Sequence, residues 1–138
     1  MLRRATLSLL TALASAGAAQ AATLTARVAP PKTRVGATFQ IQLSGTFKGR
    51  HAFLLAFVQY SGSSCRSSAT KELHRTARTG GAYYVHKLTG SPFSANRSFK
   101  AGRAGGRRVC AYLFGRKVKP GTRARPLARA DAFYRVTR

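Results

Sequence analysis

After the first twenty residues, hydrophobic and polar positions alternate in short segments, which predicts strands rather than helices. In residues 38–47, Phe39, Ile41 and Leu43 alternate with polar side chains, and this period of two indicates a half-buried strand. Residues 52–60 are apolar at nearly every position, which is typical of a strand covered on both faces.

Similar segments follow along the chain, separated by glycine, proline and polar residues. Strands are predicted over 23–29, 38–47, 52–60, 82–88, 91–100, 107–114 and 131–137. The polar connection 61–81 has room for one or two helical turns, with Thr70 as the N-cap and Glu72 in the first turn. About seven short strands without a long helical period predict an all-β fold, either a sandwich or a small barrel.

The N-terminus has the three parts of a secretory signal peptide. Arg3 and Arg4 precede the apolar run Leu7–Ala19, and a small-x-small cleavage site ends at Ala21. The alternative is a buried N-terminal helix. We expect cleavage near Ala21, which leaves 22–138 as a single domain that is secreted or associated with the cell envelope.

Two cysteines, Cys65 and Cys110, remain in that domain. An exported protein meets an oxidising compartment, and two cysteines allow a single connectivity. The alternatives are a reactive thiol or a metal-binding pair, but the sequence has no CxxC spacing and no histidine close to either cysteine. A structural disulfide is therefore predicted.

Charge is the strongest departure from ordinary composition. The chain has 25 basic residues and two acidic ones, Glu72 and Asp131, which gives a formal net charge of +23. A GC-rich genome would favour arginine, yet GC-rich codons also encode aspartate and glutamate, so the missing acids need a physical reason. Self-repulsion of this size destabilises a compact state, and an anionic partner would relieve it.

The densest basic segment follows the second cysteine strand. It is predicted as an irregular loop with a Pro120-Gly121 turn, and its candidate polyanion-binding residues are Arg116, Lys117, Lys119, Arg123, Arg125 and Arg129. The competing interpretation is a positive surface that only solubilises the protein. For an exported chain the first polyanions encountered are anionic cell-wall polymers and lipid head groups, and we favour these as partners.

Nucleic acid is the weaker alternative, because it would need exposed aromatic platforms. Alternation places Tyr112 and Phe114 on the same side as Cys110, which we expect to be the core. Tyr83 and Tyr84 point to opposite faces of their strand, so at most one of them belongs to a platform.

Catalytic motifs give little support for an enzyme. Two acids are too few for a calcium site, the histidines lack zinc spacing, and no cofactor or metal is expected. A ribonuclease-like alternative would use Glu72 and His74, which share a face in an extended chain, together with His86 and Arg97. A third possibility is a structural or protein-binding module.

The strand order, with a cysteine in the penultimate strand, resembles an immunoglobulin-like sandwich. That family carries Asp-x-Gly-x-Tyr-x-Cys at this strand, and here Gly106 and Cys110 match while Ala104 and Arg108 replace the aspartate and the tyrosine. The resemblance implies a two-sheet fold. Because Cys65 follows the central strand, its bridge is expected to attach a loop to one sheet instead of joining the two sheets.

The whole of 22–138 also resembles small exported sandwich proteins of GC-rich actinobacteria. The shared features are a loop cysteine after a long apolar strand and a Val-Cys-Ala-Tyr-Leu strand, here Val109–Leu113. The resemblance implies a fold and an exported location, and it implies no activity.

Overall fold

The computed structural model describes residues 21–119 and 123–138. The predicted signal peptide up to Gln20 and the predicted Pro120-Gly121 turn lie outside these residues. The described chain forms β1 (Thr23–Ala29), β2 (Lys32–Arg34), β3 (Thr38–Thr46), β4 (Ala52–Gln59), α1 (Ala69–Thr79), β5 (Ala82–Leu88), β6 (Phe93–Lys100), β7 (Gly105–Phe114) and β8 (Ala128–Thr137).

The strands form two sheets. One has three strands in the order β1-β3-β6, and the other has five in the order β2-β8-β7-β4-β5. All pairs are antiparallel except β2 with β8. In immunoglobulin lettering these are an A-B-E sheet and a G-F-C sheet extended at both edges, so the predicted immunoglobulin-like sandwich is confirmed.

The strand β2 was not predicted, because three residues are too short to show a period. It forms because the chain crosses from the edge of one sheet to the edge of the other. The amide of Arg135 donates to the carbonyl of Pro31 at 2.9 Å, and the amide of Val35 donates to the carbonyl of Thr137 at 2.8 Å.

The main core lies between the two sheets. Every second residue of the long strands points into it, as the period of two predicts. Its fully buried members include Ile41, Leu54, Ala56, Val109 and Leu113.

A second apolar cluster lies on the outer face of the five-stranded sheet. It comprises Leu55, Phe57, Ala69, Cys110, Tyr112 and Phe114. The predicted burial of Cys110, Tyr112 and Phe114 is confirmed, but their neighbours on β7 are the ones that face the inter-sheet core. The two clusters explain why β4 and β7 are apolar on both faces.

The helix α1 covers part of this second cluster. Ser68, rather than the predicted Thr70, is the N-cap, and its hydroxyl accepts a hydrogen bond from the amide of Lys71 at 3.2 Å. Gly80 ends the helix with φ 79°, a left-handed conformation that glycine adopts readily. The helix has eleven residues, which is longer than the one or two turns predicted.

The disulfide joins Cys65 and Cys110, with 5.7 Å between their Cα atoms, as predicted. It attaches the connection between β4 and α1 to the outer face of β7. In immunoglobulin domains the bridge joins the two sheets instead. Cys110 is therefore not the equivalent of the immunoglobulin cysteine, and Val109 occupies the inward-facing position beside it.

A buried arginine stands where immunoglobulin domains have a tyrosine corner. Arg107 lies two residues before Val109, and its guanidinium donates to the backbone carbonyls of Arg103 at 3.1 Å, Ala104 at 3.0 Å, and Tyr60. These bonds fix the loop that enters β7, which is the task that the tyrosine hydroxyl performs in immunoglobulin domains.

Candidate polyanion-binding surface

We call the outer face of the five-stranded sheet, with α1 and the loop between β7 and β8 that lie on it, the covered face. The loop is held down at three described points. Val118 and Ala124 pack against the second apolar cluster, and the amide of Leu127 donates to the carbonyl of Leu113 at 2.7 Å. These contacts fix the loop backbone on the sheet.

The basic side chains alternate with the anchored residues and point to solvent. Arg116, Lys117, Lys119, Arg123 and Arg125 are all exposed. Val118 and Ala124 face the sheet and these cations face outward, so the described part of the loop presents its charge on one side.

A groove of about 660 Å³ separates this loop from α1. Its helical wall contributes Lys71 and His74, and its loop wall contributes Arg123 and Arg125. Ser67 and Ser68 line the end near the start of the helix. Cations from two segments that are about fifty residues apart in sequence therefore face one concavity.

A shallower depression of about 410 Å³ continues from the groove. Arg123 and Ala124 line both, and the depression adds Arg116, Lys117 and Lys119. We call the two together the basic groove.

The sixth predicted residue, Arg129, lies elsewhere. The prediction placed it in the loop, but β8 begins at Ala128, and Arg129 pairs with Tyr112 across the strands. It lines a different depression of about 320 Å³ beside the disulfide, together with Arg108 and Asp131. The structure thus brings together five of the six predicted cations.

Both carboxylate side chains of the sequence contact arginines outside the basic groove. Glu72 is fully buried and accepts hydrogen bonds from Arg75 at 2.6 and 2.9 Å and from the amide of Gln59. Asp131 accepts a hydrogen bond from Arg108. Among the described residues that line the groove, Lys71, Arg123 and Arg125 are basic and none is acidic, so its local charge is positive.

The ribonuclease-like combination is not assembled. Glu72 and His74 would share a face only in an extended chain, but they lie on the helix α1, where residues two apart point to different sides. Glu72 is buried beneath the helix and His74 is exposed in the groove. His86 lies on the side of β5 that faces the inter-sheet core, as its alternation with Tyr84 and Leu88 shows.

None of the four candidate stacking residues lines the basic groove, and three of them are held in contacts within the protein. The hydroxyl of Tyr112 donates to the carbonyl of Arg66, and burial is the main reason that the pKa of Tyr112 is raised. Phe114 is buried, and the ring of Tyr84 lies 4.6 Å from the Arg97 guanidinium. Tyr83 is 48% exposed but packs against Phe57 at the edge of the sheet, away from the residues that line the groove.

A possible set of metal ligands occurs at the disulfide. Ligand atoms of Cys65, Glu72 and Cys110 lie within 4.8 Å of one another. Both sulfurs are consumed in the bridge, and the amide of Gln59 lies 3.0 Å from the sulfur of Cys110. The group offers no thiolate ligand while the bridge is intact, and it forms a buried polar cluster under α1.

Lys71 and His74 were not predicted as binding residues. The signal that could have found them is helical phase. With the helix assigned to Ala69–Thr79, Lys71, His74 and Arg78 fall at i, i+3 and i+7, opposite the buried Glu72 and Thr76.

Among the described residues, no helix is both long and apolar enough to cross a membrane. No protein-family model and no curated protein matches the sequence. A solved structure whose backbone resembles this one is the CARDB domain of the PF1109 protein from Pyrococcus furiosus, solved in complex with di-metal ions. It is 8% identical, with a TM-score of 0.46, over 83% of this chain and 91% of that one.

Proposed function

We propose that this protein is a non-enzymatic, exported β-sandwich that binds an anionic polymer of the cell envelope through the basic groove. The observation that carries the proposal is the convergence of cations from α1 and from the β7–β8 loop on one anchored concavity. A solubilising charge needs no such convergence, because scattered single charges suffice.

The chemistry of the groove suits phosphate. Arginine forks bind phosphate oxygens with two parallel hydrogen bonds, and lysine adds a compact point charge. Neutralising a chain of anions releases its counterions, so the affinity should fall steeply as salt is added. An enzyme would need a fixed acid and base, whereas binding needs only this arrangement of charge.

Export is the second part of the proposal. It rests on the signal-peptide pattern at residues 1–21 and on the disulfide, since such bridges persist in oxidising compartments. In that location the protein meets the outer polymers of its own cell before it meets any other polyanion.

The test is cosedimentation of the purified protein with isolated cell envelopes over a salt series. The variant Arg123→Gln/Arg125→Gln should bind about 30-fold more weakly at low salt, because each cation contributes about 1 kcal/mol near an anionic surface. Its salt dependence should also be shallower, since it releases fewer counterions.

The matched control is Arg27→Gln/Lys100→Gln. It removes the same charge from the three-stranded sheet, where both residues are exposed and point away from the core. The control should retain nearly all of the binding. Equal losses in the two variants, or no retention of the unmodified protein at low salt, would contradict the proposal.

A further inference from the structure

We infer that the ligand of the basic groove is a single, base-free phosphodiester chain in which a short polyol separates the phosphates. This inference rests on the proposed function, since it names the polymer class that the same site would bind. It depends on the shape of the groove, on the spacing of its cations and on a lining that has no aromatic side chain among the residues that the structure describes.

Shape favours one chain over a flat surface. The groove has charge on two walls, with Lys71 on the helix and Arg123 and Arg125 on the loop, and His74 adds a polar side chain beside Lys71. A lipid bilayer would contact only the outer rim of such a concavity. A single polymer chain can enter it and lie against both walls at once.

Spacing on the loop wall favours a short repeat. Burial alternates from Arg123 to Pro126, as in an extended segment, so Arg123 and Arg125 point the same way. Two residues of extended chain comprise six backbone bonds and span about 7 Å. A three-carbon polyol phosphate also has six backbone bonds per repeat, so successive phosphates can meet successive arginines.

The lining of the groove distinguishes such a chain from single-stranded nucleic acid. Single-strand binders stack bases on aromatic side chains, and each stacked base contributes about 1–3 kcal/mol. Among the described residues, those that line the two parts of the basic groove include no aromatic side chain. The described part of the chain does have exposed rings, but Tyr60, Tyr83 and Phe133 lie outside the groove.

The lining of the groove includes serine hydroxyl groups. Ser67 and Ser68 line the groove beside Lys71. A serine hydroxyl both donates and accepts, so it can bond either to a phosphate oxygen or to a hydroxyl of the polyol. The groove therefore offers a partner to each part of the repeat.

The experiment measures the binding of four probes by the purified protein at one low salt concentration. The probes are a synthetic glycerol phosphate oligomer, a single-stranded DNA oligonucleotide with the same number of phosphates, polyglutamate of equal charge, and vesicles containing an anionic phospholipid. We expect the glycerol phosphate oligomer to bind at least tenfold more tightly than the DNA or the polyglutamate, and the vesicles to bind weakly.

The variants test the two walls separately. Lys71→Gln/His74→Gln changes the helix wall, and Arg123→Gln/Arg125→Gln changes the loop wall. The loop-wall variant removes two charges and should weaken binding of the glycerol phosphate oligomer about tenfold or more, and the helix-wall variant removes one charge and should weaken it about fivefold. The control Arg27→Gln/Lys100→Gln should change the binding less than twofold.

Failure of this inference is distinguishable from failure of the proposed function. Equal or tighter binding of DNA, polyglutamate or vesicles would overturn the base-free chain while leaving an anion-binding groove. A helix-wall variant that binds normally would overturn the two-wall arrangement. No binding of any probe or of cell envelopes would overturn the proposed function itself.

Discussion

The two outer faces of this sandwich differ in what lies on them and in charge. The covered face holds a helix, a disulfide-attached segment and a basic loop. The outer face of the three-stranded sheet, which we call the open face, has nothing packed on it among the described residues. Its outward side chains are mostly amides and hydroxyls, and they include Thr23, Thr25, Thr38, Gln40, Gln42, Ser44, Thr46, Ser94, Asn96 and Ser98.

That difference bears on the origin of the charge. A codon bias toward arginine acts on every exposed position and does not distinguish one face of a sheet from the other. Yet only Arg27 and Lys100 are charged among the outward residues of the open face, and Gln42 there donates a hydrogen bond to Gln40 at 2.8 Å. The uneven distribution supports a function for the cations of the covered face.

The faces also differ in how much they depend on a cross-link. Removing the bridge with Cys65→Ser/Cys110→Ser should lower the free energy of unfolding by about 4 kcal/mol, because the loop it closes spans 45 residues. Chemical denaturation measures this. Hydrogen exchange should show the loss of protection concentrated in α1, with the open-face strands protected up to the global stability. Uniform loss over both sheets would contradict the comparison.

Adjacent leucines on β4 compare the two apolar clusters directly. Leu54 faces the inter-sheet core, and Leu55 faces the cluster under the covered face. We expect Leu54→Ala to cost about 3–5 kcal/mol and Leu55→Ala about 2–3 kcal/mol, because both are buried but the outer cluster is smaller and can collapse more easily. A cost below about 0.5 kcal/mol for Leu55→Ala would mean that the covered face has no core of its own.

Alkaline pH should lower the free energy of unfolding through both clusters, by less than the cavity-forming substitutions do. Burial is the main cause that raises the pKa of Tyr134, to about 12, and that of Tyr112. A raised pKa in the folded state means that the unfolded chain loses these protons first. Stability should therefore be constant up to about pH 10 and then fall, by about 1.4 kcal/mol per pH unit for each tyrosine.

Denaturation at increasing pH tests this, with Tyr134→Phe and Tyr112→Phe as the informative variants. In each variant the free energy of unfolding should decline less steeply above pH 10 than in the unmodified protein. Tyr134→Phe tests the inter-sheet core, and Tyr112→Phe tests the cluster under the covered face. An unchanged slope in either variant would show that the ring concerned does not couple folding to alkaline pH.

Most of the strands could be predicted from the sequence, because alternation records which side of a strand meets water. Alternation could not show whether the face of β7 that carries Cys110 or the opposite face lies toward the inter-sheet core, since β7 is apolar on both faces. The strand β2 was too short to show a period. The N-cap was placed two residues late because Ser68 and Thr70 are chemically similar caps.

Only the loop wall of the candidate groove could be predicted from the sequence. Cations that are neighbours in sequence, such as Arg123 and Arg125, could be found as a run. Helical phase places Lys71 and His74 on the exposed side of α1, but it does not show that this side lies beside the loop, because that depends on the disulfide and Ala69 holding α1 against the sheet. Arg129 was misplaced because the alternating segment Ala128–Thr137 begins with small residues that do not indicate a strand.

The most direct test of the account is to map, by nuclear magnetic resonance, where the glycerol phosphate oligomer contacts the isotope-labelled protein. The account predicts that the largest amide shifts occur at residues 67–74, 116–119 and 123–125, with little change along β1, β3 and β6. Shifts spread evenly over both faces, or concentrated on the open face, would contradict the claim that the basic groove is the binding site.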